Sequence, residues 1–368
     1  MTRAARAYVS DGAGGAAVED LEVDEPEPGE VLVEIKASGV CHTDHDLIGA
    51  PVPLVLGHEG AGVVAAVGEG VVGLAAGDRV LLSWSIPCRE CFQCGAGNQH
   101  LCERQSPLNG LGGHAHLGGT RQSDGRSVIR GFSLGTMSTL ALVRAEAVVP
   151  LPDGIPFTSA CIVGCGVMTG FGSVVNAARV EPGASVVVLG CGGVGLNVIQ
   201  GARIAGATRI IAVDPKPARL EMAARFGATE GLVPEAGDDD LSGTAKTVRG
   251  MTGGRGADYA FECTAVPALG AAPLAMVRNG GTAVQVSGIE QPITIDMRLF
   301  EWDKTYINPL YGQCRPARDF PRIFDLYASG ALLLDELVTT TYPLQDAPKA
   351  FEDLLAGNGG KGVLVMDR

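Results

Sequence analysis

Val186-Val-Val-Leu-Gly190-Cys-Gly192-Gly193-Val194-Gly195, followed by Leu196-Asn-Val-Ile-Gln200, sets a short apolar run directly before a Gly-x-Gly-x-x-Gly turn and a helical stretch. The glycine spacing alone means little in a chain with 53 glycines, so its context carries the reading. A buried strand that ends in such a turn and opens a helix is the phosphate-binding corner of a doubly wound parallel sheet. Gly190 permits the tight turn, Gly192 lets a pyrophosphate approach the backbone, and Gly195 allows close helix packing. Gly193 and Val194 begin the helix whose N-terminus attracts phosphate.

Working outward, strand-like runs at Ser185–Leu189, Ile210–Val213, Ala257–Cys263 and Thr282–Val286 alternate with helical stretches, the pattern of a parallel α/β sheet. The run Arg209-Ile-Ile-Ala-Val ends in Asp214, a carboxylate placed to accept ribose hydroxyls and repel a 2'-phosphate, which selects NAD over NADP. A turn residue before Pro215 is the plainer reading of the same aspartate. The first 150 residues differ: Val31-Leu-Val-Glu-Ile-Lys, Gly62-Val-Val, Asp78-Arg-Val-Leu-Leu and Ala147-Val-Val are short β-type runs separated by Gly and Pro. The tail from Asp319 reads as an amphipathic helix, a Leu-rich linker and a final strand Gly362–Met366. Glu103–Thr136, rich in Gly, His and Ser, exceeds an ordinary connection and reads as a loop over a cleft or at a subunit interface.

With 368 residues, 46% of them hydrophobic, the chain is long enough for two domains with separate cores. A formal net charge of -13 excludes non-specific binding to nucleic acid or anionic membrane surfaces. Neither a signal peptide nor a long apolar span is present in the sequence, and a cytoplasmic protein is expected.

The cysteines divide into two patterns. Cys88-x2-Cys91-x2-Cys94-x7-Cys102 can close four thiolates around one ion and leave no position for substrate, which defines a structural zinc. Cys41, His58 and Cys165 lie far apart in sequence. Brought together by the fold, two sulfurs and one imidazole hold a zinc ion with one coordination position open, as catalytic sites do. Each of the three alone would read as a packed core residue.

Together, Cys41-His42-Thr43-Asp44, Gly57-His58-Glu59, the four-cysteine lobe, Gly164-Cys165-Gly166 and the glycine turn resemble the zinc-dependent medium-chain alcohol dehydrogenases over nearly the whole chain. The lobe and the long segment after it resemble the long-chain dimeric type, and Gly201-Ala-Arg-Ile-Ala-Gly206 with Tyr311-Gly312 is similar to bacterial nicotinoprotein alcohol dehydrogenases. The resemblance implies a mostly-β GroES-like catalytic domain formed by residues 1–165 and 309–368, a Rossmann domain over 166–308 and an active site in the cleft between them. It further implies two zinc ions per chain, NAD, an alcohol or carbonyl substrate, and a homodimer or a tetramer.

By the same resemblance, Thr43 hydrogen-bonds the substrate oxygen and begins a proton relay, and Asp44 accepts the second ring hydrogen of His58. Glu59 is either a transient metal ligand or an ion-pair partner. His42 and Lys361 match positions facing the pyrophosphate, Arg219 matches one at the adenosine ribose, and Thr169 also falls at a cofactor position; solvated charges are the alternative for His42, Arg219 and Lys361. Many relatives carry a relay histidine five residues after the cysteine, where this chain has Asp46, with a histidine one earlier at His45. The proton leaves through His45, through Asp46 and water, or by another route. Trp84 and Phe132 are expected at the substrate pocket. Competing functions are an iminium or conjugated-enal reductase, or a non-catalytic NAD(H)-binding protein.

Overall fold

Val186, Val187, Val188 and Leu189 are all fully buried, which requires a strand covered on both faces of its sheet. The computed structural model describes residues 2–105, 119–357 and 360–366. That strand, β1 (Ser185–Leu189), lies at the centre of a six-stranded sheet with β2 (Arg209–Val213), β3 (Glu230–Leu232), β4 (Ala257–Glu262), β5 (Val277–Gln285) and β6 (Thr305–Ile307). The order is β3-β2-β1-β4-β5-β6, parallel throughout. The order therefore reverses direction at β1, leaving a crevice beyond the carboxyl ends of β1 and β4. Val187, Leu189, Ile211 and Val213 pack against the helices Ser242–Met251 and Ala272–Met276 through Leu241, Ala245, Val248 and Met276.

The chain divides into two compact units. One comprises Met1–Cys165, Arg315–Tyr327 and Leu334–Arg368; the other comprises Gly166–Cys314 and Ala328–Leu333 and contains the parallel sheet. The first unit is built on two sheets. Thr2–Asp11 and Ala16–Asp24 form an antiparallel hairpin joined by Pro53–Val55, Thr120–Gln122 and Ile129–Arg130. In the other, Glu30–Gly39 pairs with Gly60–Val67, Leu140–Arg144 and the late strand Lys361–Val365. Ala7, Val9, Leu21, Val23, Leu32, Val55 and Leu142 share one core between the two sheets.

Two sequence expectations need correction. The segment 103–136 is not one loop: residues 106–118 lie outside the described residues, but Thr120–Gln122 and Ile129–Arg130 are strands of the first sheet, anchored by Val23 opposite Thr120. Their polar composition hid them, because among the described residues of 103–136 only Val128 and Leu134 are fully buried apolar residues. The tail helix starts at Pro316, ahead of Asp319, since proline's fixed φ suits a first helical turn. Among the described residues, no single helix is long and apolar enough to cross a membrane.

Candidate active site

Cys41, His58 and Cys165 converge from three non-contiguous places. Cys41 is the extended residue preceding the short helix His42–Leu47, His58 follows Gly57, and Cys165 follows the single turn Ile162–Gly164. Gly57 has φ +100°, and a Cβ there would lie 2.4 Å from Met137 N, so only glycine makes this bend. One ligand atom from each of Cys41, His58, Glu59 and Cys165 lies within 4.8 Å of all the others.

The imidazole is fastened from behind. Asp44 is fully buried, and its Oδ1 accepts from His58 Nδ1 at 2.9 Å and from Gly57 N at 3.0 Å. Nδ1 is therefore committed to the carboxylate, and Nε2 is the nitrogen left for the cluster. Burial opposes a charge on His58, but Asp44 and Cys41 together outweigh it, and the imidazole is pushed well above its ordinary pKa. Between the sulfurs, a hydrogen bond from Cys165, aided by the charges of Lys361 and His58, pulls the Cys41 thiol well below its usual range; the same bond, together with burial, pushes Cys165 well up. Two thiols this close, one readily ionised, with an oriented imidazole are a donor set that could hold a zinc ion with one position open.

Glu59 is fully buried with Oε1 2.6 Å from Lys361 Nζ, and its Oε2 has no hydrogen-bond partner among the described residues. Burial raises its carboxyl to about 7 against the pull of Lys361. Lys361 lies on the strand that pairs with Glu30–Gly39, where Val363 faces Gly39. A Cβ on Gly39 would lie 1.9 Å from Glu59 Oε2, so that glycine makes room for the carboxylate. Spacing gave no hint of Gly39, because the glycine precedes the cysteine by two residues inside an ordinary strand.

The remaining candidates sit around this cluster. Thr43 Oγ1 is 3.8 Å from Cys41 Sγ. His42 is exposed, and the desolvation it meets beside the cluster holds it below its usual pKa. His45 is part-exposed, tilted against Phe351 at 6.2 Å, with Nδ1 3.6 Å from Asp46 Oδ1; Asp46 is largely in solvent. Phe132 lies 4.6 Å from the His58 ring and 5.7 Å from Trp84 between ring centroids, so both aromatic candidates are beside the cluster. Phe132 has φ 55° and ψ 26°, a left-handed conformation uncommon for a bulky residue and one that surrounding structure has to enforce.

The four lobe cysteines also gather to within 4.8 Å. Backbone amides point at their sulfurs: Cys88 N and Gln105 N at Cys102, Cys91 N at Cys88, and Cys94 N and Glu103 N at Cys91, all at 3.3–3.5 Å. The amides of Glu103 and Cys94 lower the Cys91 thiol to about 6, while burial lifts Cys94 to about 12. Such N–H···S bonds stabilise thiolates, which are the metal-binding form.

In the other unit the glycine turn does what its sequence implies locally. Gly190 has φ +85°, and a Cβ on Gly195 would lie 1.9 Å from Gly190 O, whereas Gly192 and Gly193 face open space. The helix α1 (Gly193–Ile204) begins there, with Val194 in its first turn. Asp214 is 1% exposed; its Oδ2 accepts from Cys191 N and its Oδ1 from Lys216 N, both at 2.9 Å, and Arg219 Nη1 stands 3.5 Å from Oδ2. The carboxylate thus ties the glycine turn to the end of β2 and to Arg219. Thr169 is half-buried in the helix Gly166–Gly172, and a Cβ on its neighbour Gly170 would meet Val194 O at 2.5 Å, a close crossing of two helices that sequence did not reveal.

Residues 27–153 match the alcohol dehydrogenase GroES-like domain, and residues 193–329 match the zinc-binding dehydrogenase domain. The chain is 37% identical to a putative alcohol dehydrogenase D of Mycobacterium tuberculosis (strain CDC 1551 / Oshkosh) over 94% of this chain and 95% of that protein. It is 37% identical to the NDMA-dependent alcohol dehydrogenase of Amycolatopsis methanolica over 95% of each. A crystal structure of an alcohol dehydrogenase zinc-binding domain protein from Burkholderia ambifaria superimposes with a TM-score of 0.92 at 33% identity, covering 100% of both chains. The chain therefore belongs to the zinc-dependent medium-chain alcohol dehydrogenase family, joins a GroES-like domain to a Rossmann-type sheet, and is an oxidoreductase of that family.

Proposed function

We propose that this enzyme transfers a hydride between NAD(H) and a primary or secondary alcohol, or the corresponding aldehyde or ketone, at a zinc ion held by Cys41, His58 and Cys165. The observation that carries the reading is the convergence of two thiols and one imidazole whose other nitrogen is already committed to Asp44. Zinc in that set supplies Lewis acidity that eases loss of the hydroxyl proton or polarises a carbonyl, and NAD supplies the hydride acceptor. Thr43 Oγ1, beside Cys41, takes the hydroxyl proton by hydrogen bond and passes it outward toward His45 or Asp46. Phe132 and Trp84 present apolar surface next to His58 and keep water from that side. Asp44 fixes the imidazole, and Lys361 holds the Glu59 carboxylate.

Gly190, Gly192 and Gly195 with the start of α1 cradle the pyrophosphate, and Asp214 takes the adenosine ribose and disfavours NADP. Arg219, Thr169, His42 and Lys361 complete the cofactor contacts in this reading. Cys88, Cys91, Cys94 and Cys102 hold a second, structural zinc. A homodimer fits the unpaired edge of β6 with Met297 and Trp302 exposed nearby. A reducing compartment, the cytoplasm, fits ten cysteines of which none is joined in a disulfide. The test is metal analysis of purified protein with NAD- and NADP-linked turnover of an alcohol panel. Two zinc ions per chain and a carbonyl product formed with NAD are expected; turnover that survives complete removal of zinc overturns the reading.

A further inference from the structure

Glu262, the last residue of β4, is a fully buried carboxylate with no cationic partner among the described residues. Its oxygens are instead surrounded by donors whose direction is fixed. Thr264 N donates to Oε1 at 2.5 Å, the Thr264 hydroxyl donates to the same oxygen, and the Ser287 hydroxyl and Gln285 Nε2 (2.7 Å) donate to Oε2. Neither hydroxyl is free to reverse: Val266 N donates to Thr264 Oγ1 and Ala265 N to Ser287 Oγ, each at 3.0 Å. Gln285 Nε2 also donates to the Ser287 carbonyl at 3.0 Å, a group that can only accept, which settles which end of the amide faces the carboxylate. Every partner offers a proton, so the network is built for an ionised Glu262. The neighbouring Cys263 thiol is pushed well up by burial first and by the Glu262 charge second.

This charge sits where a dinucleotide's second half belongs. Asp214, at the end of β2, lies on one side of the glycine turn, and β4 and β5 lie on the other. A dinucleotide spanning the reversal of strand order, with its adenosine at β2, brings its nicotinamide half over the ends of β4 and β5. Thr264 adjoins the turn itself, since a Cβ on Gly190 would lie 2.8 Å from Thr264 Cγ2. Thr264 and Ser287 are only half-buried and are followed by the exposed Ala265 and Gly288, so the carboxylate lies one layer beneath the open crevice.

Resting on the NAD reading above, we propose that Glu262 is an electrostatic partner of the nicotinamide half, favouring the oxidised ring over the reduced one. Accepting a hydride, a proton with its electron pair, converts the cationic nicotinamide ring into a neutral dihydro ring. A fixed negative charge nearby stabilises the first state and not the second, and thereby tunes the bound cofactor's redox balance.

Equilibrium titration of the zinc-loaded enzyme with NAD+ and with NADH, without substrate, tests this. In Glu262→Gln the ratio Kd(NAD+)/Kd(NADH) should rise about tenfold, as loss of a unit charge about 12 Å away at an effective dielectric near 20 implies, while Glu262→Asp should hold the ratio within about twofold even where both affinities fall. Should Glu262→Gln not fold, Gln285→Lys neutralises the carboxylate in place and should move the ratio in the same direction. An unchanged ratio in the folded neutralised variant, or an equal loss of both forms, overturns the proposal and leaves the NAD reading intact. Failure of the wild type to bind either form overturns both.

Discussion

The two cysteine clusters contain nearly the same chemistry and are built in opposite ways. Cys88, Cys91, Cys94 and Cys102 come from one short stretch and are positioned by their own loop, whose backbone amides donate to the sulfurs. With a dication bound, four thiolates leave net negative charge, and those amides are what disperse it. Cys41, His58 and Cys165 are placed by three separate elements, and as two thiolates and a neutral imidazole they would balance a bound dication. Their surroundings are side chains: Asp44 behind His58, and the buried Glu59–Lys361 pair. The closed site is therefore a staple that organises local chain, and the open site is a product of the finished fold. Damage to the first should appear as lost stability, and damage to the second as lost turnover.

The largest effect is expected at the open site. Cys41→Ser or His58→Ala should lower turnover by roughly 10³-fold or more, since each removes one of the three groups proposed to hold the Lewis acid. NADH binding, measured by fluorescence titration, should stay nearly intact because the glycine turn belongs to the other unit. Equal loss of NADH binding and turnover would break the division drawn here.

In the lobe, Cys91→Ser should release one zinc per chain and cost about 3 kcal/mol or more of stability, seen as a fall in Tm of about 10 °C. The remaining zinc should be the active-site ion. Loss of that ion with the lobe metal retained would mean that the ligands have been divided wrongly.

Asp44→Asn sharpens the comparison by leaving the three ligands untouched. Asn retains an acceptor for His58 Nδ1 but removes the charge and competes with its own amide hydrogens, so zinc affinity or kcat should fall about 10–100-fold. An unchanged zinc affinity together with unchanged kcat would show that the imidazole is oriented by packing against Phe132 alone.

How much of this was legible beforehand follows the same contrast. The lobe could be read from spacing because its geometry is local, and the parallel sheet because Val186–Leu189 leads straight into Gly190 and α1. The open site needed resemblance to assemble Cys41, His58 and Cys165, since no periodicity links them. What stayed hidden depends on tertiary neighbours: Gly39 giving space to Glu59, Gly170 admitting Val194, and the donors aimed at Glu262. The strands at Thr120–Gln122 and Ile129–Arg130 were missed because pairing, not hydrophobic alternation, defines them.

The smallest effect concerns the proton's way out, where the open site meets solvent. His45 and Asp46 are neighbours on one short helix, yet only His45 is partly covered, tilted against Phe351. A group that relays a proton needs contact with both the inner hydroxyl and water, and partial cover suits that better than full exposure. His45→Ala should therefore slow alcohol oxidation a few-fold, most at low pH where external base is scarce, and added imidazole should restore part of the rate. Asp46→Ala should change little. A flat response to His45→Ala with a clear defect in Asp46→Ala would assign the relay to Asp46, and indifference to both would mean that water alone carries the proton from Thr43.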